Sequence, residues 1–251
     1  MQGEIRIIPI RHIPEIKQRD NLASLIVAAL DKQKISLEAH DIVVITQKIV
    51  SKSEGRIIDL DTIAPSASAQ EIAKKHGKDS RYIELVLKES KRIVRMDHGV
   101  IISETHHGFI CANAGVDESN AGAENTALLL PVNPDKSAKK IRDELQKSSG
   151  ISLGVIISDT WGRPWREGQV NFAIGTSGLD VLVDYRGKKD SFGFELRASL
   201  IAIADELASA AELATGKIDA VPVVIIRGYR FKTSENGSKT LLRDPKKDLF
   251  R

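Results

Sequence analysis

Ser158-Asp159-Thr160-Trp161-Gly162-Arg163-Pro164-Trp165-Arg166 brings a carboxylate, a hydroxyl and two guanidiniums into one short run. Carboxylate and hydroxyl oxygens are hard donors suited to Mg²⁺ or Mn²⁺, and guanidinium forks grip phosphate or carboxylate bidentately. Together they could hold a divalent cation and the phosphates it carries. A second acidic loop, Asn113-Ala114-Gly115-Val116-Asp117-Glu118-Ser119-Asn120, follows another apolar run. If the fold brings the two together, Asp117 and Asp159 supply carboxylate oxygens and Thr160 a hydroxyl or carbonyl. That is too few ligands for a complete cage, but magnesium completes its octahedron with waters and substrate phosphates. Asp117 equally suits a turn or a helix cap. Lys48, Lys52 and Arg56 follow a third apolar run, where cations could meet an anionic ligand; the same segment also reads as a solvated basic loop.

Missing motifs narrow the chemistry. There is no G-x-x-x-x-G-K-[ST] phosphate cradle and no strand-linked G-x-G-x-x-G. Gly175-Thr176-Ser177-Gly178 lacks the spacing of a hydrolase nucleophile elbow. Cys111 lies in an apolar stretch and reads as core. His106 and His107 sit in a turn, and adjacent side chains of an extended chain point apart, which disfavours a shared metal.

The elements that must position these residues follow from periodicity. Residues 4–10, 41–46 and 221–226 read as strands, as does the run 155–157, which Gly162 and Pro164 should break so that Asp159 and Thr160 stand at its C-terminal lip beside Arg163 and Arg166. Asp20 can cap a helix carrying Leu22, Leu25, Ile26, Ala29 and Leu30. Further helices are expected from Ser66 or Ser68 through Lys75, from Asp79 or Ser80 through Ser90, over residues 135–147, and over an Ala-rich stretch at 194–213 that Gly216 closes. Residues 93–96, 100–103 and 109–112 read as neighbouring strands, with residues 105–108 as a hairpin turn; 169–174 and 181–184 read as extended. Asp205 and Glu206 on the long Ala-rich helix either orient the site or stand at its solvated edge, and the edge is the favoured reading.

Composition bounds the class. A chain of 251 residues, 41% hydrophobic and 28% charged, has an ordinary globular make-up and admits one large domain or two modest lobes of mixed α and β structure. The formal charge of +3 is small, the lysines are interspersed with acids and aromatics are few, so no nucleic-acid partner is expected. A single cysteine excludes an intramolecular disulfide, residues 1–6 lack a signal-peptide core, and no apolar run could cross a bilayer. The expectation is a cytoplasmic protein without a membrane partner.

The acidic loop 113–120, the run 158–166, Arg186-Gly187-Lys188-Lys189-Asp190 and the closing Asp248-Leu249-Phe250-Arg251 together resemble the coenzyme F420-0:L-glutamate ligases, or γ-glutamyl ligases. The resemblance extends from the first strand to the last residue. It implies an α+β ligase fold with a mixed sheet, assembled as an intertwined homodimer, over a single domain spanning 1–251 without the C-terminal flavin-binding domain fused to some relatives. It also implies an activity: GTP phosphorylates the terminal carboxylate of F420-0 and L-glutamate displaces the phosphate, with further γ-linked additions.

Two Mg²⁺ or Mn²⁺ ions per site are implied, one held by Asp117 and Asp159 and a second by Thr160. Nucleotide contacts fall on Ile13, Pro14, Glu15, Ile16, Thr46, Gln47, Lys52, Asn120, Gly216 and Lys217. Lys217 departs from the amide or acidic residue expected in many relatives. Asp159, Arg163 and Arg166 are the residues expected to carry the chemistry, with the arginines on substrate phosphate or carboxylate and Trp161 and Trp165 either stacking on the deazaflavin or packing locally. The residues also admit a paralogous ligase acting on another carboxylic acid, or a non-catalytic nucleotide-binding protein.

Overall fold

The computed structural model describes residues 3–118 and 125–249, which leaves Asn120, Phe250 and Arg251 outside the described residues. In chain order the first half contains β1 (Arg6–Ile10), α1 (Leu22–Gln33), β2 (Ile42–Thr46), α2 (Gln47–Ser53), β3 (Ile57–Asp59), α3 (Ala67–His76), α4 (Ser80–Glu89), β4 (Ser90–Asp97), β5 (Val100–Thr105) and β6 (Ile110–Ala112). The second half contains β7 (Thr126–Leu128), α5 (Pro134–Ser149), β8 (Gly154–Arg163), β9 (Arg166–Ser177), β10 (Val183–Asp184), β11 (Leu200–Ile201), α6 (Ile203–Thr215) and β12 (Val223–Arg227).

The main sheet runs β1-β12-β2-β8-β9 and is mixed: β2 and β8 are parallel, and every other neighbouring pair is antiparallel. Its central strands are apolar at almost every position because both faces are buried. Val43, Ile45, Val155, Ile157, Val223 and Ile225 point into one core with α1 and α5. Ile42, Val44, Ile156, Val224 and Ile226 point into the other with α6. This period of two distributes a continuous hydrophobic run between two layers. The segment between α2 and α5 builds a third core around Leu60, Tyr82, Ile83, Ile101 and Leu129. The fold is therefore mixed α+β, as the sequence leads one to expect.

Four local expectations change. Asn21, not Asp20, caps α1 by accepting from the Ser24 amide at 2.9 Å, while Asp20 accepts from the Lys17 amide. The segment after β2 is a helix instead of a basic loop, since Ile49 and Val50 are buried against the core. β8 does not stop before Gly162 but continues to Arg163 as one arm of a hairpin with β9, and Pro164 and Trp165 make the turn. The Ala-rich helix begins only at Ile203. Residues 194–201 are not helical, and Leu200 pairs with Asp184 across β10 and β11. Helical propensity yields there because Phe194 is exposed and Leu200 has a strand partner, whereas from Ile203 onward Ala204, Leu207, Ala208 and Ala211 pack on the sheet.

Candidate active site

A cavity of about 810 Å³ opens at the C-terminal ends of the parallel strands β2 and β8. β2 ends at Thr46, which pairs with Ser158, so Asp159 is the first residue of β8 beyond its parallel partner. Asp159 is thus in mid-strand with respect to β9 and at the lip with respect to β2. Side chains at such ends of an α/β sheet face a crevice that the layers do not fill.

Five further segments complete the wall. The loop after β1 contributes residues 13–16, and Ile16 is buried in the core and anchors it. The β2–α2 junction contributes Thr46, Gln47, Lys48 and Lys52. Gln47 is pinned by donating to Ser51 Oγ at 2.8 Å, and Lys52 reaches across to Glu15 at 2.5 Å.

Asp117 enters from the loop after β6. Asn113, Ala114 and Gly115 all have left-handed backbone, and a Cβ at Gly115 would lie 2.8 Å from the Leu130 side chain, so glycine alone fits both demands. Asp117 then forms a two-bond bridge with Leu128 and directs its carboxylate to Lys48 Nζ at 2.7 Å. β9 contributes Gln169 and Asn171, and α6 with the following loop contributes Glu212, Gly216 and Lys217.

Asp159 is held from two sides. Its Oδ1 accepts from the Thr160 amide at 2.9 Å and its Oδ2 from the Trp161 indole Nε1 at 2.7 Å. Burial pushes its carboxyl up to about 6; those two hydrogen bonds and the Lys48 ammonium oppose the rise, and the Asp117 carboxylate adds to it. Two carboxylates facing one cavity are hard oxygen donors, and the pair fits a Mg²⁺ or Mn²⁺ ion whose remaining ligands are water and phosphate. Among the described residues no cluster of three or more His, Cys, Asp or Glu side chains converges as a metal cage.

A second polar cluster lies beside it. The Thr160 hydroxyl donates to Asn171 Oδ1 at 2.6 Å and accepts from Lys217 Nζ at 2.6 Å. Lys217 also pairs with Glu212 at 3.0 Å, and Asn171 Nδ2 donates to Glu212 at 2.9 Å. Glu212 and Asn171 are not apparent from sequence reasoning. A signal existed for Glu212: an acid in the last turn of a helix opposes the negative end of the macrodipole and calls for a reason.

The fold brings Ile13, Pro14, Glu15, Ile16, Thr46, Gln47, Lys52, Asp117, Asp159, Thr160, Gly216 and Lys217 to this one cavity. Arg163 and Arg166 are not part of its wall, which ends at Gly162 and Gln169; they pair at the hairpin tip, where Arg163 donates to the Glu167 carbonyl. Trp161 packs between Phe109 and Phe172 at 5.4 and 5.5 Å, while Trp165 is exposed at the turn.

Of the remaining candidates, Cys111 is buried and its thiol is pushed up to about 12 by burial, which removes it as a nucleophile at neutral pH. His106 and His107 bond through Nε2 to different carbonyls, of Lys88 and Pro131. Glu206 is exposed, as expected, but Asp205 is partly buried and accepts from the Ala173 amide, which ties α6 to β9.

The same cavity-forming segments fall within a match to known proteins. A family model described as F420-0:Gamma-glutamyl ligase covers residues 10–228. The chain is 47% identical over 250 residues to a protein of Methanothermobacter thermautotrophicus named Coenzyme F420:L-glutamate ligase, covering 98% of this chain and 99% of that one. Proteins of the same name from Methanocaldococcus jannaschii and Methanopyrus kandleri are 49% identical over 86% of this chain and 43% identical over 98%, and the aligned segments cover 86% and 98% of those relatives. The chain therefore belongs to the F420-0:gamma-glutamyl ligase family, a family of ligases.

Proposed function

We propose that this protein adds L-glutamate to coenzyme F420-0, and then further γ-linked glutamates, in a GTP-dependent reaction through an acyl phosphate. The observation that carries the reading is the meeting of Asp117 and Asp159, from loops 42 positions apart, in one cavity with the β2–α2 junction. Full-length relatives named as F420:L-glutamate ligases support it.

A carboxylate is a poor electrophile at neutral pH, so amide formation needs a leaving group. In the first step a carboxylate oxygen of F420-0 attacks the γ-phosphorus of GTP and the bond to GDP breaks. In the second the glutamate nitrogen attacks the acyl carbon, loses a proton, and expels phosphate. A bound Mg²⁺ or Mn²⁺ supplies charge neutralisation on the transferring phosphoryl group. In this reading Asp117 and Asp159 hold that ion, Trp161 orients Asp159, and Lys48 and Lys52 meet phosphate oxygens. Residues 13–16, Thr46, Gln47, Asn120 and Gly216 contact the nucleotide. Arg163 and Arg166, at the hairpin tip beyond Gly162, take the acidic groups of the acceptor.

We assign the active form to an intertwined homodimer working in the cytoplasm. No helix among the described residues is long and apolar enough to cross a membrane. Product mass analysis after incubation with F420-0, L-glutamate, GTP and Mn²⁺ tests the reading. Species enlarged by one or more glutamates, absent when GTP is omitted, are expected; an unchanged acceptor mass contradicts it.

A further inference from the structure

The cluster around Thr160 already contains a cation of its own. Lys217 Nζ lies 2.6 Å from Thr160 Oγ1 and 3.0 Å from Glu212 Oε1. Asn171 closes the ring by accepting from the Thr160 hydroxyl and donating to Glu212. Thr160 and Glu212, tied together by Asn171, thus fix the ammonium at the oxygen that would have to ligate a second metal ion. A hydroxyl has two acceptor lone pairs and one proton; here the proton goes to Asn171 and one pair to Lys217.

Charge separates the two halves of the cavity. Among the described residues Asp117, Asp159 and the bridging Lys48 sum to one negative charge, and Glu118 lies close enough to Asp117 to add to it, so this half still attracts a dication. In the hydrogen-bonded ring at Thr160 the charged members are Glu212 and Lys217, which sum to zero. A dication bound to Thr160 would displace the ammonium from its partners or stand against it at hydrogen-bonding distance, and neither is compensated by a further acid in the ring.

We infer that Lys217 serves as a built-in cation in place of a second metal, so that each active site takes up one divalent ion and presents one tethered ammonium to the phosphates. A lysine can do this work: it is a point charge with three donors, two of which Thr160 and Glu212 occupy while the third is left for a phosphate oxygen. This inference rests on the ligase reading of the same cavity.

Metal stoichiometry tests it independently of turnover. Mn²⁺ is titrated onto the full-length protein saturated with a non-hydrolysable GTP analogue, and bound ion is counted by electron paramagnetic resonance and calorimetry. One Mn²⁺ per protomer is expected for the wild type and for Lys217→Arg, and two for Lys217→Gln, which removes the charge and supplies an oxygen. In that variant a dipolar interaction between paired Mn²⁺ ions should broaden the spectrum. Two ions per wild-type protomer, or one in a folded Lys217→Gln protein, overturn the inference while the ligase reading stands. If Lys217→Gln does not fold, the wild-type and Lys217→Arg counts decide. No bound Mn²⁺ in a wild-type preparation that also makes no glutamylated product overturns both.

Discussion

The indole Nε1 of Trp161 donates a 2.7 Å hydrogen bond to Oδ2 of Asp159, two residues earlier on the same strand. Residues i and i+2 share a face of a strand, so β8 itself sets this contact. The ring is in turn clamped between Phe109 and Phe172. Trp161→Phe keeps the aromatic packing and removes only the donor. Partners that orient metal ligands are worth about 10–100-fold in metal affinity. We expect a loss of that size in Mn²⁺ affinity, measured by calorimetry, with no comparable loss in Trp165→Phe, whose ring is 80% exposed at the turn. Equal Mn²⁺ affinity in Trp161→Phe and wild type contradicts the orienting role.

Asp159 also links the site to stability. Its carboxyl is pushed up to about 6 by burial, above the ordinary aspartate value of about 3.9. The folded protein therefore holds a proton that the unfolded chain gives up. Stability is fully present below about pH 4, falls as the pH rises toward about 6, and is flat beyond. Asp159→Asn removes that loss. At pH 8 without metal the variant should be more stable by about 1–2 kcal/mol, the shift being worth at most about 3 kcal/mol before the lost acceptor is counted. Thermal melts at pH 4 and pH 8 check this: the gap should shrink at the lower pH. A variant less stable than wild type at pH 8 contradicts it.

Arg227 at the end of β12 binds Asp41, just before β2, through two bonds of 2.9 and 2.8 Å, and Asp41 is fully buried. The Asp41 carboxylate raises the Arg227 guanidinium further above its usual range. Removing one partner of a buried pair strands the other, at a cost of about 3–5 kcal/mol. Arg227→Leu should lower the urea midpoint accordingly, and a loss below about 1 kcal/mol would show that water reaches Asp41.

The strands that frame the cavity were legible because sheet burial writes itself as apolar runs. Residues 42–45, 155–157 and 223–226 are continuous hydrophobic blocks, and all lie in central strands. Helix α2 was not legible, since seven residues are too few for a 3.6-residue period to stand out from the lysines. The start of α6 was misplaced because local propensity cannot reveal that Leu200 has a strand partner. Among the site residues, Asp117 and Asp159 announced themselves as acids following apolar strands. The contacts of Lys48 with Asp117 and of Lys217 with Thr160 did not, because they join residues 69 and 57 positions apart and only the tertiary fold brings them together.

The central claim is that Asp117 and Asp159 form one metal-dependent centre for glutamate ligation. Its most direct test is GDP release, dependent on both F420-0 and glutamate, by Asp117→Ala and Asp159→Ala proteins whose circular dichroism matches wild type. The account predicts that each loses more than about a hundredfold, and that the double variant loses little more than either single one because the two ligands act as a unit. GDP release at the wild-type rate by either folded variant would contradict it.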